Sequence, residues 1–170
     1  MKRALFLDRD GVINVEKNYL YKIEDFEFID GIFELVKQYK NLDYSVFVVT
    51  NQSGIARKYY SENDFNSLTL WMNAEFLKQG IKIDDVYFCP HHPSIGGECT
   101  CRKPNPGMLL NAANNYNIDL KNSIMIGDKE RDIEAGLNAG LLETYLFDES
   151  GKIKTSKASK IVSKLEQIWK

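Results

Sequence analysis

Ala4-Leu5-Phe6-Leu7-Asp8-Arg9-Asp10-Gly11 is the stretch from which the rest of the chain is read. Its apolar run stops at two carboxylates two residues apart. In an extended segment residues i and i+2 share a face, so Asp8 and Asp10 are expected to project together from the end of a buried strand. An open α/β sheet binds ligands in the crevice beyond the carboxyl ends of its strands. Two like charges this close repel and call for a cation between them. Hard oxygens, few in number, suit Mg²⁺. Asp-Gly is also a common hairpin-turn pair, so the stretch needs support from the remaining sequence.

Working outward, Tyr44 to Val49 is a near-continuous apolar run, the mark of a central parallel strand, and it ends at Thr50-Asn51-Gln52-Ser53-Gly54. Val86-Tyr87-Phe88, Ser123 to Ile126 and Leu141 to Phe147 read as further strands. Helices are predicted between them. The first runs from Gly31 to Tyr39, with Ile32, Leu35, Val36 and Tyr39 on one face. The second opens at the N-cap Ser61 and carries Phe65, Leu68, Met72 and Phe76 to about Gln79. The third follows Asn105-Pro106, read as N-cap and first helical position, and the fourth covers about Arg131 to Ala139. Trp71 is expected in the core. Gly11 to Phe28 has no helical period and reads as a loop over the strand ends. From Ser159 onward, Ile161, Val162, Leu165, Ile168 and Trp169 have helical spacing and predict a helix docked on the sheet. Strands alternating with helices make an α/β fold with a doubly wound parallel sheet, in one domain over residues 1–170.

The chain has 170 residues and a net charge of −2, which argues against a nucleic-acid or anionic membrane surface. No apolar run approaches the roughly 20 residues of a membrane span. Met1-Lys2-Arg3 resembles the start of a signal peptide, but the apolar run ends at Asp8, too soon for its core. A cytoplasmic monomer is expected. The three cysteines all lie between Cys89 and Cys101, which is not the pattern of a disulfide framework.

Polar signatures close three of these strands: Asp8-Arg9-Asp10, Thr50-Asn51 and Gly127-Asp128-Lys129. Arg102-Lys103 precedes the third helix. A doubly wound sheet gathers them at one edge, where they supply a carboxylate nucleophile, further carboxylates for a second role and a metal, a hydroxyl, an amide and a lysine. Phosphoryl transfer needs those parts, because its catalysis is positioning plus neutralisation of charge. The second signal is Cys89-Pro90-His91-His92-Pro93 followed by Cys99-Thr100-Cys101. Three thiols and an imidazole suit tetrahedral Zn²⁺, and four protein ligands make such a site structural. His91 has the better spacing, and His92 stays open as the alternative. Arg102-Lys103 follows the last cysteine directly, so zinc would fix the loop that presents both cations.

With these motifs in this order, the chain resembles the haloacid dehalogenase (HAD) superfamily of phosphatases: Asp8-x-Asp10-Gly11, Thr50, Lys103, and Gly127-Asp128 with Asp132 after it. Val12 departs from the threonine common there. The resemblance implies that Asp8 attacks phosphorus to form an aspartyl-phosphate and that Asp10 serves as acid and then base. Thr50 and Lys103 would hold the phosphoryl group. Asp8, Asp128 and the backbone carbonyl of Asp10 would hold Mg²⁺. Asp132 would support Asp128 or, alternatively, be a solvated acid on a helix face. No separate cap domain is expected.

The zinc loop is similar to that of the subgroup of heptose bisphosphate and histidinol-phosphate phosphatases. Phe6 to Asn14, Asn18-Tyr19, Thr50 to Arg57 and Cys101 to Pro104 resemble the heptose branch. The short gap between His91 and Cys99 resembles the histidinol branch. By this resemblance Glu16, Lys17, Asn18, Tyr19, Thr50, Asn51, Gln52, Ser53, Arg102, Lys103 and Lys129 contact substrate. Arg102 would suit a second phosphate through its bidentate fork. The expected reaction is Mg²⁺-dependent hydrolysis of the 7-phosphate of a heptose 1,7-bisphosphate, a small phosphorylated sugar, on a route to surface glycans. Histidinol-phosphate hydrolysis is the alternative within the class. A phospho-acceptor switch without turnover, and a zinc-dependent nucleic-acid module, are alternatives outside it.

Overall fold

The computed structural model describes residues 1–169. Six parallel strands form one sheet in the order β3-β2-β1-β4-β5-β6. They are β1 (Arg3–Leu7), β2 (Tyr44–Asn51), β3 (Asp85–Cys89), β4 (Ile124–Gly127), β5 (Glu143–Phe147) and β6 (Lys160–Val162). The helices are α1 (Ile32–Asn41), α2 (Glu62–Lys78), α3 (Gly107–Tyr116) and α4 (Glu130–Asn138). The expected α/β architecture is present, and the predicted helix bounds differ from the observed ones by one or two residues at most ends.

Strand alternation divides the interior into two cores. Leu5, Leu7, Val46 and Val48 face α1 and α2, which contribute Leu35, Val36, Leu68, Met72 and Phe76. Ala4, Phe6, Phe47 and Val49 face the other side, where α3 and α4 bring Met108, Leu109, Ala112 and Ala135. Both faces of β1 and β2 are thus covered, which is why these strands are apolar at every position. Trp71 packs at the margin of the first core, with its ring centroid 5.3 Å from that of Phe26 and 5.8 Å from that of Phe28.

The C-terminal segment differs from its expectation. Ile161 and Val162 lie in β6, paired in register with Leu146 and Phe147 of β5, and only Leu165–Ile168 turns as a short 3₁₀ helix. Helical spacing over so few residues is weak against two β-branched side chains beside an open strand edge. Leu165 and Ile168 still reach the first core. The buried Tyr39 hydroxyl donates to the Ile168 carbonyl at 3.1 Å. Tyr39→Phe is expected to orphan that carbonyl at a cost of about 1 kcal/mol, lowering Tm by about 2–4 °C. Thermal melts with limited proteolysis after Ser159 check this, and an unchanged Tm would show that the hydroxyl does not anchor the tail.

The start of α3 also differs. Pro106 is the cap residue and Gly107 the first helical one. Asn105, expected as the cap, instead donates from Nδ2 to the Cys99 carbonyl at 2.7 Å. No described helix is long and apolar enough to cross a membrane. After β3 the chain returns past β1 to build β4, β5 and β6, so the order of strand addition reverses between β1 and β4 while all strands stay parallel. The crevice at that switch point is where such a sheet accepts ligands.

Candidate active site

Asp8 is the first residue beyond β1, and its N–H donates to the Ile126 carbonyl of β4 at 3.0 Å. That bond sets the Asp8 side chain over the switch point. Lys103 reaches it from the loop before α3, with Nζ 2.8 Å from Asp8 Oδ1, 2.8 Å from Asp132 Oδ1 and 2.7 Å from the Val49 carbonyl. Asp8, Lys103 and Asp132 are all buried. Asp132 is therefore no solvated helix-face acid. Its other oxygen accepts from the Lys129 N–H at 2.9 Å, at the start of α4, so one carboxylate fixes both the helix end and the buried ammonium. Gly127 is required beside it, because a Cβ there would lie 2.1 Å from Asp132 Cβ.

Burial raises the Asp8 carboxyl well above the ordinary range. Lys103 opposes that shift, while Asp132, Asp128 and Asp10 add to it. Burial alone would lower the Lys103 ammonium, but Asp132 and Asp8 outweigh it and hold lysine above its usual value. Asp128 is raised chiefly by burial, against the pull of Lys129, whose Nζ is 2.7 Å from Asp128 Oδ2.

Carboxylate oxygens of Asp8, Asp128 and Asp132 lie within 4.8 Å of one another. Gly11 makes room for this group: its φ is +89°, and a Cβ there would come 2.4 Å from the Asp128 carboxyl. Three carboxylates share two ammonium groups here, Lys103 and Lys129, and burial raises the carboxyls of Asp8 and Asp128, so a divalent cation such as Mg²⁺ fits this hard-oxygen donor set.

The Asp10 carboxylate is not part of this three-carboxylate group, although its charge is close enough to act on Asp8. The strand ends at Leu7, and residues 9–14 form a tight turn in which the N–H groups of Val12, Ile13 and Asn14 all approach the Arg9 carbonyl. Strand alternation does not extend into such a turn. The Asp10 carboxylate instead accepts from Arg9 Nη2 at 3.0 and 3.1 Å, Asn14 Nδ2 at 3.1 Å and Gln52 Nε2 at 3.0 Å. Its charge is met by the buried Arg9, whose Nη2 also donates to the Leu20 carbonyl at 2.9 Å. Gln52 in turn donates to Thr50 Oγ1 at 2.8 Å and accepts from the Tyr60 hydroxyl at 2.5 Å. In the sequence Arg9 and Asn14 stand out only as parts of a motif, and nothing marks Tyr60. The signal for Arg9 was an arginine between two acids at the end of a buried strand.

A cleft of about 320 Å³ opens beside Asp10, and Glu16, Asn18, Tyr19, Gln52 and Ser53 line part of its wall. Arg57, Arg102 and Arg131 line the remainder with Asn51, Tyr60 and His92. Asn51 is committed to Lys103: its Nδ2 donates to the Lys103 carbonyl at 3.1 Å, and its Oδ1 accepts from the Lys103 N–H at 3.0 Å. Lys17 is not on this wall and pairs with Glu27 at 3.4 Å. Arg131, which the sequence does not single out, and His92, which it marks only as an alternative metal ligand, also line this pocket.

Cys89, at the end of β3, Cys99 and Cys101 are free thiols. With His91 they bring four ligand atoms within 4.8 Å of one another. His91 Nδ1 is 3.5 Å from Cys89 Sγ and 3.3 Å from Cys101 Sγ, whereas the His92 ring is turned to Arg57. Of the two histidines left open by spacing, His91 faces the sulfurs. Three thiols and one imidazole nitrogen around a common centre match the donor set of structural Zn²⁺.

Comparison with known proteins finds related chains and folds. A family model described as HAD-hydrolase-like matches residues 100–164. A Campylobacter jejuni protein named D-glycero-alpha-D-manno-heptose-1,7-bisphosphate 7-phosphatase is 56% identical over 150 residues, covering 88% of this chain and 85% of its own. A Pasteurella multocida protein named as the 7-phosphatase of the beta anomer is 46% identical, covering 94% of this chain and 89% of its own. The crystal structure of a D,D-heptose 1,7-bisphosphate phosphatase from B. bronchiseptica, complexed with magnesium and phosphate, superposes with a TM-score of 0.83 at 28% identity, covering 98% of this chain and 97% of the other.

Proposed function

We infer the reaction from kinship and geometry together: this chain belongs to the heptose-1,7-bisphosphate 7-phosphatase family of HAD-like hydrolases. It is a phosphoric monoester hydrolase that removes the 7-phosphate of D-glycero-D-manno-heptose 1,7-bisphosphate, in the supply of activated heptose for surface glycans. The observation that carries this reading is the adjacency of two features, joined through Asn51, which lines the cleft and binds the Lys103 backbone. A buried carboxylate, Asp8, is paired with a buried lysine, and beside them lies a cleft lined by three arginines. The first suits a phosphoryl group in transfer, and the second suits a substrate with another anionic end.

In this mechanism Asp8 attacks phosphorus, and the bond to the sugar oxygen breaks as the bond to Asp8 forms. Asp10 gives its proton to the departing oxygen and then takes one from the water that hydrolyses the aspartyl-phosphate. The bonds from Arg9, Asn14 and Gln52 hold Asp10 in place for both steps. Lys103 and Thr50 orient the phosphoryl oxygens. Asp8, Asp128 and the Asp10 backbone would hold Mg²⁺, with Asp132 keeping Lys103 and α4 in place. When bound, the ion neutralises charge on the phosphoryl oxygens. Glu16, Asn18, Tyr19, Ser53, Arg102 and Lys129 contact the substrate. A single-domain cytoplasmic monomer is part of the same proposal, and the one continuous six-stranded sheet supports the single domain.

The test is phosphate release with Mg²⁺ from both anomers of heptose 1,7-bisphosphate and from histidinol phosphate. One heptose anomer is expected to exceed histidinol phosphate by about ten-thousandfold or more in kcat/KM, the scale on which unpaired buried polar groups reject a substrate. A preference for histidinol phosphate would overturn the reading.

Cys89, His91, Cys99 and Cys101 would hold Zn²⁺ as a brace for Arg102-Lys103. Removing zinc, verified by metal analysis, is expected to lower kcat/KM about tenfold to a hundredfold, the usual scale for lost supporting contacts, and to expose residues 89–103 to protease. Zinc-free protein with unchanged kcat and KM would refute the brace.

A further inference from the structure

Two neighbouring residues of the cysteine loop each hold one arginine of the cleft. The His91 carbonyl accepts from Arg102 Nη1 at 3.2 Å, while its ring faces the sulfurs. The His92 ring points the other way, and Arg57 Nη2 donates to its Nε2 at 2.8 Å. The Ser94 N–H lies 3.2 Å from His92 Nδ1. A neutral imidazole accepts at one nitrogen only. The shorter contact with a charged donor outweighs the longer one with a neutral amide, so Nε2 is the acceptor and Arg57 its partner.

The backbone repeats the connection. Gln52 N–H donates to the Cys89 carbonyl at 2.8 Å, and Ala56 N–H to the Pro90 carbonyl at 3.2 Å. The turn that bears Arg57 is thus bound to the cysteine loop at three successive places. Arg57 Nε is buried yet meets no acceptor among the described residues, and Arg57 lines the same cleft as Arg102 and Arg131. A buried guanidinium N–H without an acceptor calls for one from a ligand.

We propose that His92 is a positioning residue for substrate choice: by holding Arg57 beside Arg102 it presents a second guanidinium to the phosphate that is not transferred. This rests on the bisphosphate reading above. Nothing in the transfer step itself requires the pair, so its effect falls on discrimination and KM rather than on kcat.

The experiment compares kcat and KM for heptose 1,7-bisphosphate and heptose 7-phosphate in wild type, His92→Phe, His92→Gln, Arg57→Met and the His92→Phe/Arg57→Met double variant. The wild-type preference for the bisphosphate is expected to fall about tenfold in His92→Phe, the worth of one charge-assisted hydrogen bond, chiefly through KM. His92→Gln restores an acceptor near the Nε2 position and recovers most of the preference. The double variant is no worse than Arg57→Met alone, because both changes remove one interaction. The proposal is overturned if His92→Phe keeps the preference, if it harms both substrates equally, or if the double variant shows additive losses. A wild type that treats both substrates alike would instead overturn the bisphosphate reading, and the proposal with it.

Discussion

Asp8→Asn is expected to lower kcat by roughly five orders of magnitude or more, the scale on which loss of a covalent nucleophile registers, while the protein stays folded. The two halves of this prediction have separate causes. Activity goes because an amide does not attack phosphorus and because one charge of the Asp8, Asp128 and Asp132 group is lost. The fold survives because Asn keeps a carbonyl oxygen for Lys103, and Lys103 retains Asp132 at 2.8 Å. Burial raises the Asp8 carboxyl far above its ordinary range, so the ionised form is a cost to the metal-free fold at neutral pH. A carboxyl raised on folding binds more protons in the native state, and its contribution to stability falls as pH rises through the interval between its unfolded and folded values. Removing the charge relieves that cost. Metal-free Asp8→Asn is therefore expected to melt no lower than wild type at pH 7, and the rise in Tm on adding Mg²⁺ is expected to be smaller than in wild type. Single-turnover phosphate release and paired melts with and without Mg²⁺ check both halves. Substantial turnover by the variant would refute the covalent route, and a collapse in Tm would refute the account of Lys103.

The sequence made these carboxylates visible but not their division of labour. Runs such as Ala4–Leu7 and Tyr44–Val49 announced buried parallel strands because both faces of the sheet are covered, and the polar residues that end them fell at the switch point as topology requires. The partners of Asp10 are not legible from strand periodicity, because the strand ends at Leu7 and a turn built on the Arg9 carbonyl follows. Lys103 was legible as a charge but not as a buried one, since its partners Asp8 and Asp132 are 95 and 29 residues away in the chain. His92 was read only as a rival to His91. Adjacent residues in an irregular loop point in different directions, and spacing carries no record of which ring meets Arg57. The strand at Lys160–Val162 was hidden for a similar reason, because an edge strand of three residues is specified by its neighbour β5 rather than by its own pattern.

Lys103→Met tests the other half of the buried pair and carries the largest expected effect on stability. Lys103 and Asp132 are almost wholly buried, with Asp8 close to it. Removing one partner of a buried ion pair leaves uncompensated charge and costs about 3–5 kcal/mol. In a chain of this length that lowers Tm by about 10 °C. The Val49 carbonyl loses its donor as well. Activity falls by about a thousandfold, as when a group aimed at developing charge is lost. The pH dependence separates this account from simple loss of packing. Lys103 is the main influence lowering the Asp8 carboxyl against burial, so its removal raises that carboxyl further. Stability of the variant then falls more steeply than that of wild type as pH rises above the ordinary aspartate range, and the gap in Tm narrows as pH is lowered from 7 toward that range. Asp8→Asn/Lys103→Met recovers part of the lost stability, because the double change removes one of the two stranded charges. A deficit in Tm that stays constant across this pH interval, or a double variant less stable than Lys103→Met, would mean that the lysine acts by filling space. With the charge account upheld, Asp8 and Lys103 form one electrostatic unit whose native balance waits on the metal, and the same buried charge that makes Asp8 costly to the empty fold makes it available to phosphorus.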